Sequence, residues 1–188
     1  MPTRSRPLGS VVSTSSDSER ELLHAWIGLD GFNRFSDRQA MHALYECCAS
    51  SIWARRVAQG RPFANRDLLL DRADRVLAEL PEAEIDHALD GHPRIGGNAD
   101  NPSSKREQAA VTTAGTEVRE KLAAGNRAYE DKFGHVYLVC ATGRSAEDLL
   151  AILEERLDND AETERRVLRV ELAKINRIRL GRMLGPEQ

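Results

Sequence analysis

His92 is the residue whose type and surroundings best suit chemistry in this sequence. It stands in the segment Gly91-His92-Pro93-Arg94-Ile95-Gly96-Gly97, where proline fixes one backbone angle and the glycines permit unusual ones. Such a loop can hold an imidazole at a set orientation, which suits proton transfer near neutral pH. On pattern alone a loop histidine is more often a surface or turn residue. Both interpretations stay open at this point.

Ser104 and Glu107 form a second candidate group, in the segment Ser104-Lys105-Arg106-Glu107-Gln108. A serine followed three positions later by glutamate is typical of a capping box at the start of a helix. The amides at such a start point outward with a partial positive charge, so the same place can receive an anionic substrate. A cap and a binding site at Ser104 are therefore compatible predictions.

Arg179 extends the apolar stripe of the last predicted helix, four residues after Ile175 and seven after Leu172. A guanidinium there either reaches past the end of the core into solvent or binds a carboxylate through its bidentate fork. Arg144, in a predicted turn, is likewise either a solvated residue or a second contact for an anion.

The cysteines and the remaining histidines predict no metal site. Cys47 and Cys48 are adjacent and Cys140 stands alone, which gives neither a disulfide framework nor the spacing of metal ligands. We interpret the thiols as structural, with a catalytic thiol as the alternative. The other histidines are scattered without ligand spacing: His24, His42, His87 and His135.

Caps and apolar periodicity divide the chain into about eight helices. The predicted segments are 37–49 after the Ser36 cap, one through Trp53 that ends at Gly60, 66–80 after Asn65, a short one after Pro81, 104–122 closed by Gly125, 126–133, one from Ser145 through Leu157, and 160–184.

Two stretches separate these helices. Residues 91–103 are rich in Gly, Pro and Asn, a composition that favours turns and leaves the backbone free to contact a ligand, so we predict the functional loop there. Residues 135–141 (HVYLVCA) form the one strand-like run. Since one extended piece cannot make a sheet, we expect a buried connector. The predicted fold class is all-α, a single-domain helical bundle with one short extended connector.

Composition narrows the class of partner. The 188 residues suit one core, and 27 basic against 30 acidic residues give a net charge of -3 with no basic face, which argues against nucleic acid. No long apolar run or secretory signal is visible, so we expect no membrane insertion and a cytoplasmic location. Residues 1–19 hold many serines and few large apolar groups. We predict a flexible tail there and a helical domain over 20–188.

Several segments together resemble the 2-oxo-4-hydroxy-4-carboxy-5-ureidoimidazoline (OHCU) decarboxylases. They are, in order, His92 to Gly96 (HPRIG), Ser104 to Gln108 (SKREQ), Asn126 to Tyr129 (NRAY) leading to Phe133 to Val136 (FGHV), Cys140 to Ser145 (CATGRS) and Glu171 to Leu180 (ELAKINRIRL). The likeness covers about Phe35 to Leu184 in one order, which is more specific than any single motif.

The resemblance implies a helical enzyme, usually a homodimer, that removes the carboxylate of OHCU to leave (S)-allantoin in urate breakdown without metal or organic cofactor. It implies that His92 is the catalytic proton donor and that Glu107 works beside it. We expect Glu107 to raise the pKa of His92 and keep it protonated, and Arg179 to anchor a carbonyl or carboxylate of the substrate. The implied substrate-binding positions are Pro93, Ser104, Lys105, Arg106, Gln108, Thr142, Gly143, Arg144, Ser145, Ala146 and Arg179.

Two departures and two other functions stay open. Many relatives carry arginine where this chain has Thr142, so the contact there depends on Arg144 or on backbone amides. The loop between His92 and Ser104 also looks shorter than in some relatives. The alternatives are a helical ligand-binding or regulatory module without activity, and a hydrolase of a ureido compound in which Glu107 activates water.

Overall fold

A computed structural model describes residues 26–97 and 102–186; the predicted tail, residues 1–19, lies outside them. The described residues form ten helices and no strand, which confirms the all-α class with two helices more than expected. None of these helices is long and apolar enough to cross a bilayer. The helices are α1 (Gly28–Arg34), α2 (Asp37–Tyr45), α3 (Ser51–Ala58), α4 (Arg66–Ala78), α5 (Glu82–Asp90), α6 (Pro102–Glu107), α7 (Ala109–Thr112), α8 (Thr116–Phe133), α9 (Ala146–Arg156) and α10 (Ala161–Leu184).

Side chains cap the starts of five of the described helices, and the sequence predicted three of these caps. Ser36 and Gln39 form a capping box at α2, in which the Ser36 amide donates to Gln39 Oε1 at 3.0 Å. Asn65 Oδ1 accepts from the Leu68 amide at 2.9 Å at α4. Ser145 forms a capping box with Asp148 at α9. Each cap satisfies amides that have no partner within the helix, so the start is encoded locally.

The predicted break at Gly125 is wrong, because α8 continues through it. Gly125 faces α9, and a Cβ at this position would lie 2.6 Å from Leu153 Cδ2. The glycine therefore allows two helices to pack closely, which a sequence pattern cannot distinguish from a helix end.

The predicted start at Ser104 is also wrong. The helix α6 already contains Pro102, a residue that suits the first turn of a helix. Ser104 consequently lies inside α6 and is buried instead of capping it.

The described residues form two apolar cores. The first packs α1 to α5 against α10 and includes Trp53, Leu69, Leu168 and Leu172. The second includes Leu149, Leu153 and other residues of α8, α9 and the extended connector. The long helix α10 supplies the buried stripe on which the first core is built.

The extended connector is confirmed, and its residues 137–141 are buried. Having no strand beside it among the described residues, it must pair its buried backbone groups with side chains. The Leu138 carbonyl accepts from Arg156 Nη1 at 2.7 Å, and the Cys140 amide donates to Glu171 Oε2 at 2.8 Å. Charged side chains from α9 and α10 thus hold the connector in place.

Arg156 is itself held by a buried network. Its Nε donates to Glu164 Oε1 at 2.9 Å, and the hydroxyl of Tyr129 donates to the same carboxylate. Asn159 Nδ2 donates to Glu164 Oε2 at 2.8 Å. With Glu164 fully buried, this pairing is what makes its charge tolerable inside the protein.

Candidate active site

His92 lies two residues beyond the end of α5, with its ring turned back toward that helix. The backbone amide of His92 donates to the Leu89 carbonyl at 2.8 Å, and Nδ1 lies 2.8 Å from the Ala88 carbonyl oxygen. Because a carbonyl oxygen only accepts, Nδ1 must carry a hydrogen. His92 is 7% exposed, and its Nε2 is buried without a hydrogen-bond partner among the described residues.

The imidazole of His92 is neutral at pH 7. Burial, and after it the nearby positive charge of Arg179, lower the pKa of His92 to about 4, although the bond to Ala88 and the charge of Glu107 act in the opposite direction. The expectation that Glu107 keeps His92 protonated is therefore wrong, since desolvation outweighs the carboxylate. A neutral ring with hydrogen on Nδ1 presents a free lone pair at Nε2.

Glu107, the last residue of α6, is bound by two arginines of α10. Arg179 makes a bidentate pair with it, Nε to Oε1 at 3.0 Å and Nη2 to Oε2 at 2.9 Å. Arg182 Nη1 donates to Oε1 at 3.1 Å. Arg179 thus binds a carboxylate, one of the two possibilities its position left open, and the carboxylate is the protein's own.

Arg179 has further acceptors besides Glu107. Its Nη1 donates to the Cys47 carbonyl at 3.2 Å, and its Nη2 lies 3.5 Å from the Ser104 hydroxyl. The guanidinium therefore joins α10 to α6 and to the turn that follows α2. That Arg179 also contacts a substrate stays a prediction.

The loop that carries His92 is fastened from two sides. Gln108 Oε1 accepts from the Gly96 amide at 2.9 Å, and Asn126 Nδ2 donates to the Ile95 carbonyl at 2.9 Å. Gly96 has φ +77°, a conformation that glycine adopts without strain. The break between α6 and α7 at Gln108 thus places a side-chain amide where it can hold this loop.

A cavity of about 20 Å³ lies between the two cores, next to His92 and Glu107. That volume suits about one water molecule. A ureidoimidazoline is many times larger, so its binding would require the walls to move apart. The lining residues are His92, Pro93, Ile95, Ser104, Glu107, Gln108, Tyr137, Leu138, Val139, Ala141 and Ile175.

The thiols do not serve as nucleophiles in this arrangement. Burial raises the pKa of Cys47 to about 12 and that of Cys48 to about 11, so both stay protonated at neutral pH. Within the described ranges no three side chains of His, Cys, Asp or Glu come together as metal ligands.

Comparison with known proteins decides the family. The model of the OHCU decarboxylase family matches residues 33–181. This chain belongs to the OHCU decarboxylase family. A 2-oxo-4-hydroxy-4-carboxy-5-ureidoimidazoline decarboxylase of Amia calva is 30% identical over 139 residues, covering 70% of this chain and 77% of the relative.

Other relatives are longer or more distant. The uric acid degradation bifunctional protein TTL of Arabidopsis thaliana is 28% identical over 149 residues, 74% of this chain. The chain spans 45% of the length of that protein, less than half. A crystal structure of an OHCU decarboxylase in the presence of (S)-allantoin superimposes with a TM-score of 0.69, at 24% identity over 80% of this chain and 99% of that one. This likeness shows that the family's fold is present here.

The structure brings part of the predicted site together. The cavity contains five of the predicted residues, and Arg179 lies behind Glu107. The five are His92, Pro93, Ser104, Glu107 and Gln108.

The remaining predicted positions lie elsewhere. Lys105 and Arg106 are exposed because they lie on the other face of α6. In the segment Thr142 to Ala146, Thr142 and Gly143 are exposed, Arg144 is half-buried, Ser145 caps α9 and Ala146 belongs to the second core. The cavity includes Ala141 but none of these five positions. Their role in substrate binding stays a prediction.

Sequence reasoning missed the apolar wall and the second arginine. The connector was expected to be buried, but not to line the site with Tyr137, Leu138 and Val139. Arg182 could have been predicted from its spacing. It lies three residues after Arg179, so the two side chains are neighbours on one face of the helix.

Proposed function

We propose that this chain decarboxylates OHCU to (S)-allantoin in the breakdown of urate. The observation that carries the proposal is the position of His92, which lines the same cavity as Glu107 and keeps Nε2 free of partners among the described residues. Membership of the OHCU decarboxylase family supports the choice of substrate.

The substrate itself supplies the electron sink for this reaction. Its carboxylate is attached to a ring carbon next to a C=N bond, so the bonding pair released as carbon dioxide leaves can form a C=C bond and move the C=N pair onto the ring nitrogen. That nitrogen takes one proton from the medium, because decarboxylation of a carboxylate consumes one. The protein then has to orient the ring and manage the remaining proton.

His92 is suited to move that proton. The neutral ring can accept the proton of the 4-hydroxyl group at Nε2 while Nδ1 stays bonded to the Ala88 carbonyl. The imidazolium that forms can return the proton to C5 on one face of the planar intermediate, which leaves a 4-oxo group and fixes the S configuration. His92 thus acts first as a base and then as the proton donor that the family resemblance implies.

Glu107 is suited to stabilise charge and unsuited to activate water. Its Oε1 accepts from Arg179 and Arg182, and its Oε2 accepts from Arg179. A carboxylate that is so fully bonded is a poor general base but can stabilise the transient imidazolium of His92. This arrangement disfavours the hydrolase alternative.

The inactive-module alternative is disfavoured by the unpaired nitrogen. Leaving a buried polar atom without a partner costs free energy. A protein that only bound a ligand or a partner would have no need for that cost at His92. An enzyme that uses Nε2 of His92 in each turnover needs this nitrogen to be free of other partners.

We further propose a homodimer in the cytoplasm. The family resemblance supports the dimer. Buried free thiols at Cys47, Cys48 and Cys140 suit a reducing compartment. Light scattering coupled to size exclusion tests the dimer, and a mass of about 21 kDa in solution, that of one 20.9 kDa chain, would contradict it.

Circular dichroism distinguishes the three functions. Purified protein is mixed with freshly generated OHCU, and the appearance of (S)-allantoin is compared with the spontaneous reaction. A decarboxylase accelerates the signal and yields one enantiomer. A hydrolase consumes OHCU without allantoin, and a binding module leaves the rate unchanged, so either result would contradict the proposal.

A further inference from the structure

Arg182 gives Glu107 a second cation from the edge of the site. Its side chain is 34% exposed, whereas that of Glu107 is 10% exposed. Nη1 of Arg182 and Nε of Arg179 share one carboxylate oxygen, at 3.1 and 3.0 Å. Arg182 does not line the cavity. Any effect of Arg182 on the reaction therefore passes through its contact with Glu107 or through the positive charge of its own guanidinium.

Glu107 and the two arginines bound to it carry one net positive charge. Glu107 and Arg179 cancel each other as a bidentate pair, and His92 is neutral when no substrate is bound. The Glu171 carboxylate, which holds the connector at Cys140, is neutralised by Lys174 at 2.5 Å. Arg182 therefore leaves one unit of positive charge next to a site for an anionic substrate.

We propose that Arg182 is a positioning residue of the reaction: it acts through the cluster that it forms with Glu107 and Arg179, whose net positive charge attracts the substrate carboxylate. The inference rests on the proposed function. It assigns a role to a side chain that neither the motif nor the cavity would select.

A purely structural role predicts a different pattern. A partly exposed ion pair contributes little to stability, so loss of Arg182 should hardly affect unfolding. A role in attracting the substrate should instead raise KM, leave kcat nearly constant and weaken as salt screens the charge.

Three variants test this pattern. Arg182→Gln removes the charge, Arg182→Lys keeps it, and Arg177→Gln is the matched control. Arg177 lies on the same helix, is 42% exposed and binds Asp71 and Asp74 away from the cavity. We expect KM for OHCU to rise about threefold to tenfold in Arg182→Gln at low salt, with kcat within about twofold. Arg182→Lys should recover most of the loss, and Arg177→Gln should match the wild type.

An NMR titration of His92 gives a readout that needs no turnover. The charged groups that act on this ring are Arg179 of α10 and Glu107 of α6, beside the Ala88 carbonyl. Removing the positive charge of Arg182 leaves Glu107 less compensated, so the pKa of His92 should rise in Arg182→Gln and stay constant in Arg177→Gln.

The outcomes separate the two proposals. If the wild type decarboxylates OHCU but KM and the His92 titration are unchanged in Arg182→Gln, the role of Arg182 is refuted and the function stands. If the wild type does not decarboxylate OHCU, the proposed function fails and the substrate-attracting role fails with it, whatever the titration shows.

Discussion

The two ring nitrogens of His92 have different surroundings, and this difference defines what the residue can do. Nδ1 is fixed by the Ala88 carbonyl, one turn back along the chain, so the tautomer is set by the helix that the residue follows. Nε2 is the nitrogen left to react. Burial keeps the ring neutral until a substrate proton arrives.

Replacing His92 tests this assignment directly. His92→Asn keeps a polar side chain of smaller size but cannot carry a proton between two substrate atoms. We expect kcat to fall by at least about a hundredfold, the usual lower value of general acid–base catalysis, with an unchanged far-UV circular dichroism spectrum. The measurement is the rate of (S)-allantoin formation.

His87→Asn serves as the control for that experiment. His87 lies on α5 just before His92, and its side chain is 67% exposed beside Glu84. Its replacement should leave kcat unchanged. Full activity in His92→Asn would remove His92 from the mechanism.

The residue types of the site could be predicted from the sequence, but their partners could not. Glu107 was expected to act on His92, yet its oxygens are bonded to two arginines more than seventy residues away. Such pairing depends on how α6 meets α10, and no local pattern encodes it. The pKa of His92 was misjudged for the same reason, because desolvation depends on everything packed around the ring.

At the scale of helices, three caps contained in one turn were predicted correctly, whereas the similar signal at Ser104 failed because the helix already begins at Pro102. Caps at Ser36, Asn65 and Ser145 start their helices because the bonded amides lie within three residues. The helix end predicted at Gly125 was wrong because the glycine is needed there for close packing against Leu153 of α9, another helix. Local chemistry thus predicted these three helix starts, whereas tertiary packing decided where α8 could continue.

The contact of Gly125 with α9 leads to a stability prediction. In an exposed helix, Gly→Ala would be stabilising by up to about 1 kcal/mol. At Gly125 the added methyl would meet the fully buried Leu153, and overpacking of this kind costs about 1–3 kcal/mol. We therefore expect Gly125→Ala to lower the free energy of unfolding, measured by urea denaturation.

A double-variant cycle isolates the cause. Leu153→Val withdraws the atom that the methyl would meet, so Gly125→Ala should cost less in that background than in the wild type. An equal cost in both backgrounds would show that the α8–α9 contact is not responsible.

The extended connector is held by Arg156, which is paired with the buried carboxylate of Glu164. This pair leads to a second stability prediction. Glu164→Gln keeps the shape of the side chain but leaves Arg156 buried without a counter-charge. Breaking a buried pair on one side costs about 3–5 kcal/mol. Glu162→Gln, on the exposed side of the same helix, should change the free energy of unfolding by less than about 0.5 kcal/mol.

Urea denaturation of the two variants gives the comparison. If Glu164→Gln proved as stable as Glu162→Gln, the pair would not be what holds the connector. A Glu164→Gln chain too unstable to purify, beside a normal Glu162→Gln, agrees with the prediction.

At the scale of the whole molecule, the cavity lies where the two apolar cores meet. This position explains why the ring of His92 is neutral and why its burial affects the stability of the fold. Ile175 belongs to the first core, whereas Ile95, Tyr137 and Val139 belong to the second. Apolar walls from both sides desolvate His92 and keep its ring neutral. The same desolvation that prepares the base therefore links the site to the stability of the entire fold.

That link predicts a pH dependence of unfolding. His92 titrates near 6.5 in the unfolded chain and near 4 in the folded one, so between these values the unfolded state binds more protons. Stability must then fall as pH falls through this window, and the loss is complete below about pH 4. Between pH 7 and pH 5 the contribution of His92 is roughly 2 kcal/mol.

Comparison with His92→Asn separates this contribution from that of the carboxylates, which titrate in both proteins. Urea denaturation at pH 7 and pH 5 should show a drop in the free energy of unfolding that is larger in the wild type by that amount. Equal drops in the two proteins would mean that the folded state does not suppress protonation of His92. The neutral base on which the proposed proton transfer depends would then be absent.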